Sequence, residues 1–178
     1  MSIKNRFLLS GLCVVLGFAA PSAQAQTVTA DFDVTITITA SCDISSGTNG
    51  IAELAFGSKD SFQTDVIGTT DLKVTCTKGA VYDIGLDAGS NPSTPGDVST
   101  RRMKGVSTSP VNNESDYVPY NLFKDSGNTL VWGNTIDTNT LKSTGTGAQQ
   151  THVIYGLVPS TNHTVGDYKD TVTATVTF

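Results

Sequence analysis

The 178-residue chain carries 11 basic and 16 acidic side chains, and its net charge of −5 argues against a nucleic-acid partner. Beyond the leading residues, no apolar run reaches the roughly 20 residues a membrane-spanning helix needs, and no composition break divides the chain. Outside those leading residues no window has convincing helical periodicity, so a nearly all-β protein is expected.

Residues 1–25 read as a secretory signal peptide. Lys4 and Arg6 precede an apolar run over residues 7–20, and Ala23-Gln24-Ala25 forms a small-x-small cleavage site. The mature chain then starts at Gln26, is soluble, and inserts into no membrane. Losing Lys4 and Arg6 takes the basic residues from 11 to 9 against 16 acidic, a net charge of −7. Cys13 leaves with the signal. Cys42 and Cys76 remain, and an even count in an oxidising compartment predicts a bridge between them. Such a bridge stabilises by roughly 3 to 4 kcal/mol on the chain-entropy estimate.

The first predicted strand covers residues 27–41. Val28, Ala30, Phe32, Val34, Ile36, Ile38 and Ala40 alternate there with Thr and Asp. Next come residues 51–57 with Leu54 and Phe56 inward, 70–77 with Leu72, Val74 and Cys76 inward, and 81–88 with Tyr82, Ile84 and Leu86 inward. A long connection over 89–116, rich in Asn, Pro and Gly, has room for a short strand near 101–106. Its Arg101-Arg102-Met103-Lys104 cluster reads as a solvated loop or a salt-bridging strand end. Strands over 117–123 and 129–132 flank the turn Asp125-Ser126-Gly127-Asn128, and strands over 152–158 and 168–178 complete the set. In the last of these, Tyr168, Val172, Ala174, Val176 and Phe178 alternate with Lys and Thr. Short strands separated by Gly, Pro and Asn turns point to a sandwich with a single core.

The opening strand exceeds the usual length of about 5 to 6 residues. On one reading its second half belongs to the domain and is tied down at Cys42, while residues 28–34 are surplus: an arm with one uncovered apolar face, which a second chain can bury. On the other, residues 27–41 form one long strand that bends between the two sheets of its own sandwich. Periodicity alone leaves both open.

No catalytic or metal-binding pattern stands out. His152 and His163 lie at a strand start and in a Ser/Asn loop, and neither thiol of the mature chain is free, so no enzyme and no cofactor is expected.

The residues also resemble a known family, the spore coat protein U domain, to which subunits of archaic chaperone-usher pili belong. The carriers are Ala40-Ser41-Cys42, Leu54-Ala55-Phe56-Gly57, Val74-Thr75-Cys76, Gly85-Leu86-Asp87-Ala88-Gly89, Arg101-Arg102-Met103 and Tyr120-Asn121-Leu122-Phe123-Lys124-Asp125 with Trp132-Gly133. Near the end come Tyr155-Gly156-Leu157-Val158-Pro159 and Gly166-Asp167-Tyr168-Lys169-Asp170-Thr171-Val172. Position 123 is Phe where the family suggests Tyr.

The resemblance implies an incomplete immunoglobulin-like β-sandwich completed by a donated strand. Residues 26–35 would be the donor extension and 36–178 the sandwich. Val28, Ala30, Phe32, Val34 and Ile36 would be the inserting side chains. Ile38 and Ala40 on one side, with Val172, Ala174, Val176 and Phe178 on the other, would wall the accepting groove. Implied partners are a periplasmic chaperone, an outer-membrane usher and further copies in a head-to-tail polymer. Implied localisation is export to the periplasm and then the cell surface, as a pilus serving adhesion and biofilm formation. The alternatives are a spore or cell-surface coat protein of the same fold, or a tip adhesin whose Trp132 and nearby aromatics contact a carbohydrate or a surface.

Overall fold

The computed structural model describes residues 24–45, 53–107 and 111–178. The expected signal peptide falls almost wholly outside them, as do the first residues of the strand expected over 51–57. Among the described residues no helix is long and apolar enough to cross a membrane.

Residues 37–178 form the folded body, and the strands of the described residues lie within it. They are β1 (Cys42–Ser45), β2 (Thr64–Cys76), β3 (Val81–Leu86), β4 (Arg102–Gly105), β5 (Tyr117–Pro119), β6 (Asn121–Phe123), β7 (Leu141–Thr144), β8 (Gln149–Ser160), β9 (Tyr168–Lys169) and β10 (Ala174–Thr177). A four-stranded sheet runs β1-β2-β8-β6, and two three-stranded sheets run β10-β3-β7 and β5-β4-β9. The neighbouring strands pair antiparallel.

Period-two alternation builds the core. On β2 Val66, Leu72, Val74 and Cys76 point inward, on β3 Tyr82, Ile84 and Leu86, and on β8 Ile154 and Val158; these buried side chains form one cluster with Val118, Tyr120, Leu122 and Trp132. The longest ladder joins β2 to β8 from Thr64↔Ser160 to Thr75↔Gln149. It extends well beyond the strands expected over 70–77 and 152–158.

Where the elements differ from expectation, the cause is local. Residues 53–59 form no strand, although Leu54 and Phe56 do pack against the core. Their place is made by two glycines paired across β2 and β8, Gly68↔Gly156. A Cβ at Gly68 would sit 3.0 Å from Leu54 Cδ2, and one at Gly156 would sit 2.9 Å from both Leu54 and Phe56. Side chains from a loop thus fill a slot in the sheet's inner face. The strand expected over 117–123 is split at Tyr120, where the chain changes partner: β5 pairs with β4, ending in the bond from the Tyr120 N–H to the Arg101 carbonyl, and β6 pairs with β8. The hairpin expected around 125–128 forms with a single bridge, Phe123↔Val131; Asp125 holds its turn by accepting from the N–H groups of Thr129 and Leu130. Strand β7, Leu-Lys-Ser-Thr, is too short and polar to signal itself. The last strand breaks at residues 170–173 into β9 and β10.

Candidate functional site

Two of the edge strands, β1 and β10, come from different sheets and lie near one another. Among the described residues β1 pairs only with β2, and β10 pairs only with β3, so each has one edge that pairs with no other strand there. Cys42 and Ile44 of β1, with Val172, Ala174 and Val176 from the stretch ending in β10, pack against the core yet remain partly exposed. Free N–H and C=O groups above half-covered apolar side chains are what an added strand requires.

The root of the N-terminal segment is fixed beside these edges. Cys42 and Cys76 are disulfide-bonded and directly opposite in the β1–β2 register. Thr77 extends the attachment: its N–H donates to the Ser41 carbonyl at 2.9 Å, and its hydroxyl accepts from the Ser41 N–H at 3.1 Å.

Upstream, residues 24–40 are all exposed and belong to no strand. Val28 is 93% exposed, Phe32 84%, Val34 86% and Ile36 86%, with Ala30 exposed between them; these values mark an exposed apolar stripe. The expectation of one strand from 27 to 41 is therefore corrected. Alternation describes a strand with one face buried, and such a strand needs a partner ladder; here pairing begins only at Cys42.

Of the residues expected to wall the groove, Ile38 is 76% exposed and Ala40 is exposed, upstream of the first paired strand, while the half-buried apolar side chains of β1 itself are Cys42 and Ile44. Ile44 was legible as the next step of the alternation beyond Cys42. On the other wall Val172, Ala174 and Val176 do pack on the core, whereas Phe178 is 59% exposed beyond the end of β10. Trp132 is fully buried and donates its indole N–H to the Ile84 carbonyl, which removes it as a platform for a ligand.

Behind β10 lies a buried polar hub. Arg101, read from the sequence as solvated or salt-bridging, is 1% exposed. Its guanidinium donates to the carbonyls of Leu86 at 2.9 Å, Asp87 at 2.6 Å and Trp132 at 2.9 Å, where three chain segments meet. Burial pushes its pKa down, while Tyr120, Asp87 and Asp170 pull it up. Tyr120 donates to Asp170 at 2.7 Å, and Asp170 also accepts from the Ser90 N–H and the Asn91 amide. This network fixes residues 170–173, the break between β9 and β10, to the loop that leaves β3.

At the disulfide end the core closes on a polar pair. The Tyr82 hydroxyl lies 2.9 Å from His152 Nε2, and burial holds the imidazole below its ordinary pKa of 6.5. The unfolded chain therefore binds the proton more readily, and stability falls as pH drops through 6.5 towards the lower folded value. Thermal melts from pH 7.5 down to 5 should show a declining midpoint, and His152→Gln should flatten that decline. An unchanged pH profile in the variant would exclude His152 as the cause.

Comparison with known proteins decides the relationship. A family model described as the Spore Coat Protein U domain matches residues 28–175. The chain belongs to the Spore Coat Protein U domain family. "Protein U" of Myxococcus xanthus is 35% identical over 165 residues, which span 88% of this chain and 88% of that protein. Among solved structures, the fold resembles a chain in the crystal structure of the CsuC–CsuE chaperone–tip adhesion subunit pre-assembly complex, from the archaic chaperone-usher Csu pili of Acinetobacter baumannii. That match has a TM-score of 0.51 and 23% identity, and covers 80% of this chain and 40% of the other. For this Spore Coat Protein U domain it establishes likeness of fold. The family match takes in the exposed stripe from Val28 onward, all of β1 and the first half of β10.

Proposed function

We propose that this protein is a structural subunit of an extracellular head-to-tail polymer, in which residues 26–35 of one copy insert as a strand between β1 and β10 of the next. The carrying observation is complementarity within one chain: an exposed apolar stripe at Val28, Ala30, Phe32, Val34 and Ile36, and two unpaired edges over half-covered Ile44, Val172, Ala174 and Val176. Insertion satisfies both edges and buries the stripe. Because donor and acceptor are different surfaces, the contact is heterologous and extends into a fibre.

The route follows from the same reading. A subunit with two unpaired edges needs temporary cover after export, supplied by a periplasmic chaperone that lends a strand, and then release at an outer-membrane usher. The exchange needs no nucleotide, because a better-fitting strand replaces a worse one. The product is a pilus serving surface adhesion and biofilm formation. Kinship with a spore coat family favours a second reading, in which the same polymer is laid down as a spore or cell-surface coat.

Deleting residues 26–34 tests the first claim. The truncated protein should bind its chaperone and form no filaments, and Phe32→Asp should do the same by placing an unpaired charge where an apolar contact belongs. Filaments of normal length from either variant would refute the donor assignment. Imaging intact filaments projecting from vegetative cells, as opposed to a layer confined to spores, separates pilus from coat.

A further inference from the structure

Alternation tells the arm which face to bury, but it leaves every register that differs by two residues equally acceptable. A second determinant has to choose among them. The acceptor edge offers one. Along residues 168–177 the outward positions are Lys169, Thr171, Thr173, Thr175 and Thr177, so Lys169 supplies the only charge. Lys169 stands directly opposite Lys104 in the β4–β9 register. Like charges facing one another across a ladder destabilise it. Among the described residues neither lysine forms a salt bridge, and the adjacent Arg102 is engaged with the Tyr117 ring at 4.2 Å and the carbonyls of Asn91 and Pro92. Of the nearby carboxylates, Asp170 is bonded to Ser90, Asn91 and Tyr120, and Asp116 to Thr164 and Tyr168, while exposed Asp167 is in no salt bridge with either lysine. An acidic protein thus keeps two facing cations that, among the described residues, form no salt bridge.

The arm carries the complement, Asp31 and Asp33, on the face opposite its apolar stripe. Its direction follows from the fold. Thr177 lies opposite Asp83, near the start of β3 and close to the arm root at Thr77, whereas Tyr168 lies at the far end. In a head-to-tail pair the root of one copy faces the far end of the next, so the arm runs antiparallel to β10.

We infer that Asp33 of the arm pairs with the Lys169–Lys104 cation pair of the accepting copy and thereby sets the register of insertion. With Phe32 opposite Val172, Ala30 opposite Ala174 and Val28 opposite Val176, Asp33 stands opposite Thr171, one diagonal step from Lys169 and within reach of its long side chain. A slip of two residues in one direction carries Asp33 out of reach. A slip in the other sets Phe32 against Asp170. One register satisfies both the apolar and the charged requirement.

This inference rests on the proposed strand exchange, and the test separates the two. Polymer is sheared from cells that naturally make the protein and quantified for wild type, Asp33→Lys, Lys169→Asp, the double variant and Phe32→Asp. Each single charge reversal should lower polymer yield about fivefold, and the double variant should return it to within about twofold of wild type. If Phe32→Asp still assembles, or wild type yields no polymer, the strand-exchange reading falls. If Phe32→Asp blocks assembly while the single reversals assemble normally, or fail to rescue one another, strand exchange stands and the register determinant is overturned.

Discussion

A chain carrying a second copy of residues 27–36 after Phe178, joined through a flexible linker, is expected to be monomeric and to melt well above the unmodified protein. Phe178 lies just past β10, so the linker needs only to turn the chain back for the copy to run antiparallel along the free edge. Burying Val28, Phe32 and Val34 at roughly 1.5 to 3 kcal/mol each, with Ala30 adding less, contributes about 5 to 10 kcal/mol before ordering costs. New ladder bonds to β1 and β10 offset part of the entropy of fixing the strand. A net gain of only about 3 kcal/mol would raise the melting midpoint by roughly 6 to 12 °C in a domain of this size. Differential scanning calorimetry with sedimentation analysis checks both parts. An unchanged midpoint would mean that β1 and β10 accept no strand between them.

Arg101→Met is expected to cost about 3 to 5 kcal/mol of unfolding free energy, because it strips the donors from buried carbonyls of Leu86, Asp87 and Trp132 while leaving those carbonyls in place. Methionine matches the length and flexibility of the side chain, so the loss reports on hydrogen bonding more than on volume. Arg101→Lys should recover little, since an ammonium cannot span three carbonyls on two chain segments as the guanidinium fork does. Urea unfolding gives the measurement. A loss below about 1 kcal/mol would place the carbonyls in contact with water and remove the hub's structural role.

The parts legible in the sequence were those where one physical pattern dominated. Strict alternation around Leu72, Val74 and Cys76, and around Tyr82, Ile84 and Leu86, gave strands whose inward residues are the ones buried. Export logic paired Cys42 with Cys76, and the structure joins them. The misreadings share a cause: the deciding partner lies far off in the chain. Leu54 and Phe56 alternate like strand residues, yet they sit in a slot opened by Gly68 and Gly156. Arg101 looked like a surface cation because nothing nearby in sequence announces three carbonyls converging on it. The alternation from Val28 to Ala40 is the instructive case. It encodes a strand, but the described residues supply no ladder for it, and that absence of a partner is what separates an arm from an ordinary first strand.

The covalent bond at the root of the arm has a mechanical consequence. A pull on Ser41 reaches Cys42 and passes through sulfur to Cys76, the last residue of β2, without relying on a hydrogen bond of the short β1 strand. β2 is held to β8 along its ladder from Thr64 to Thr75, so tension is shared as shear over the longest strand pair in the body and cannot peel β1 away one bond at a time. A thread of such units would transmit stress through its most extensively bonded seam.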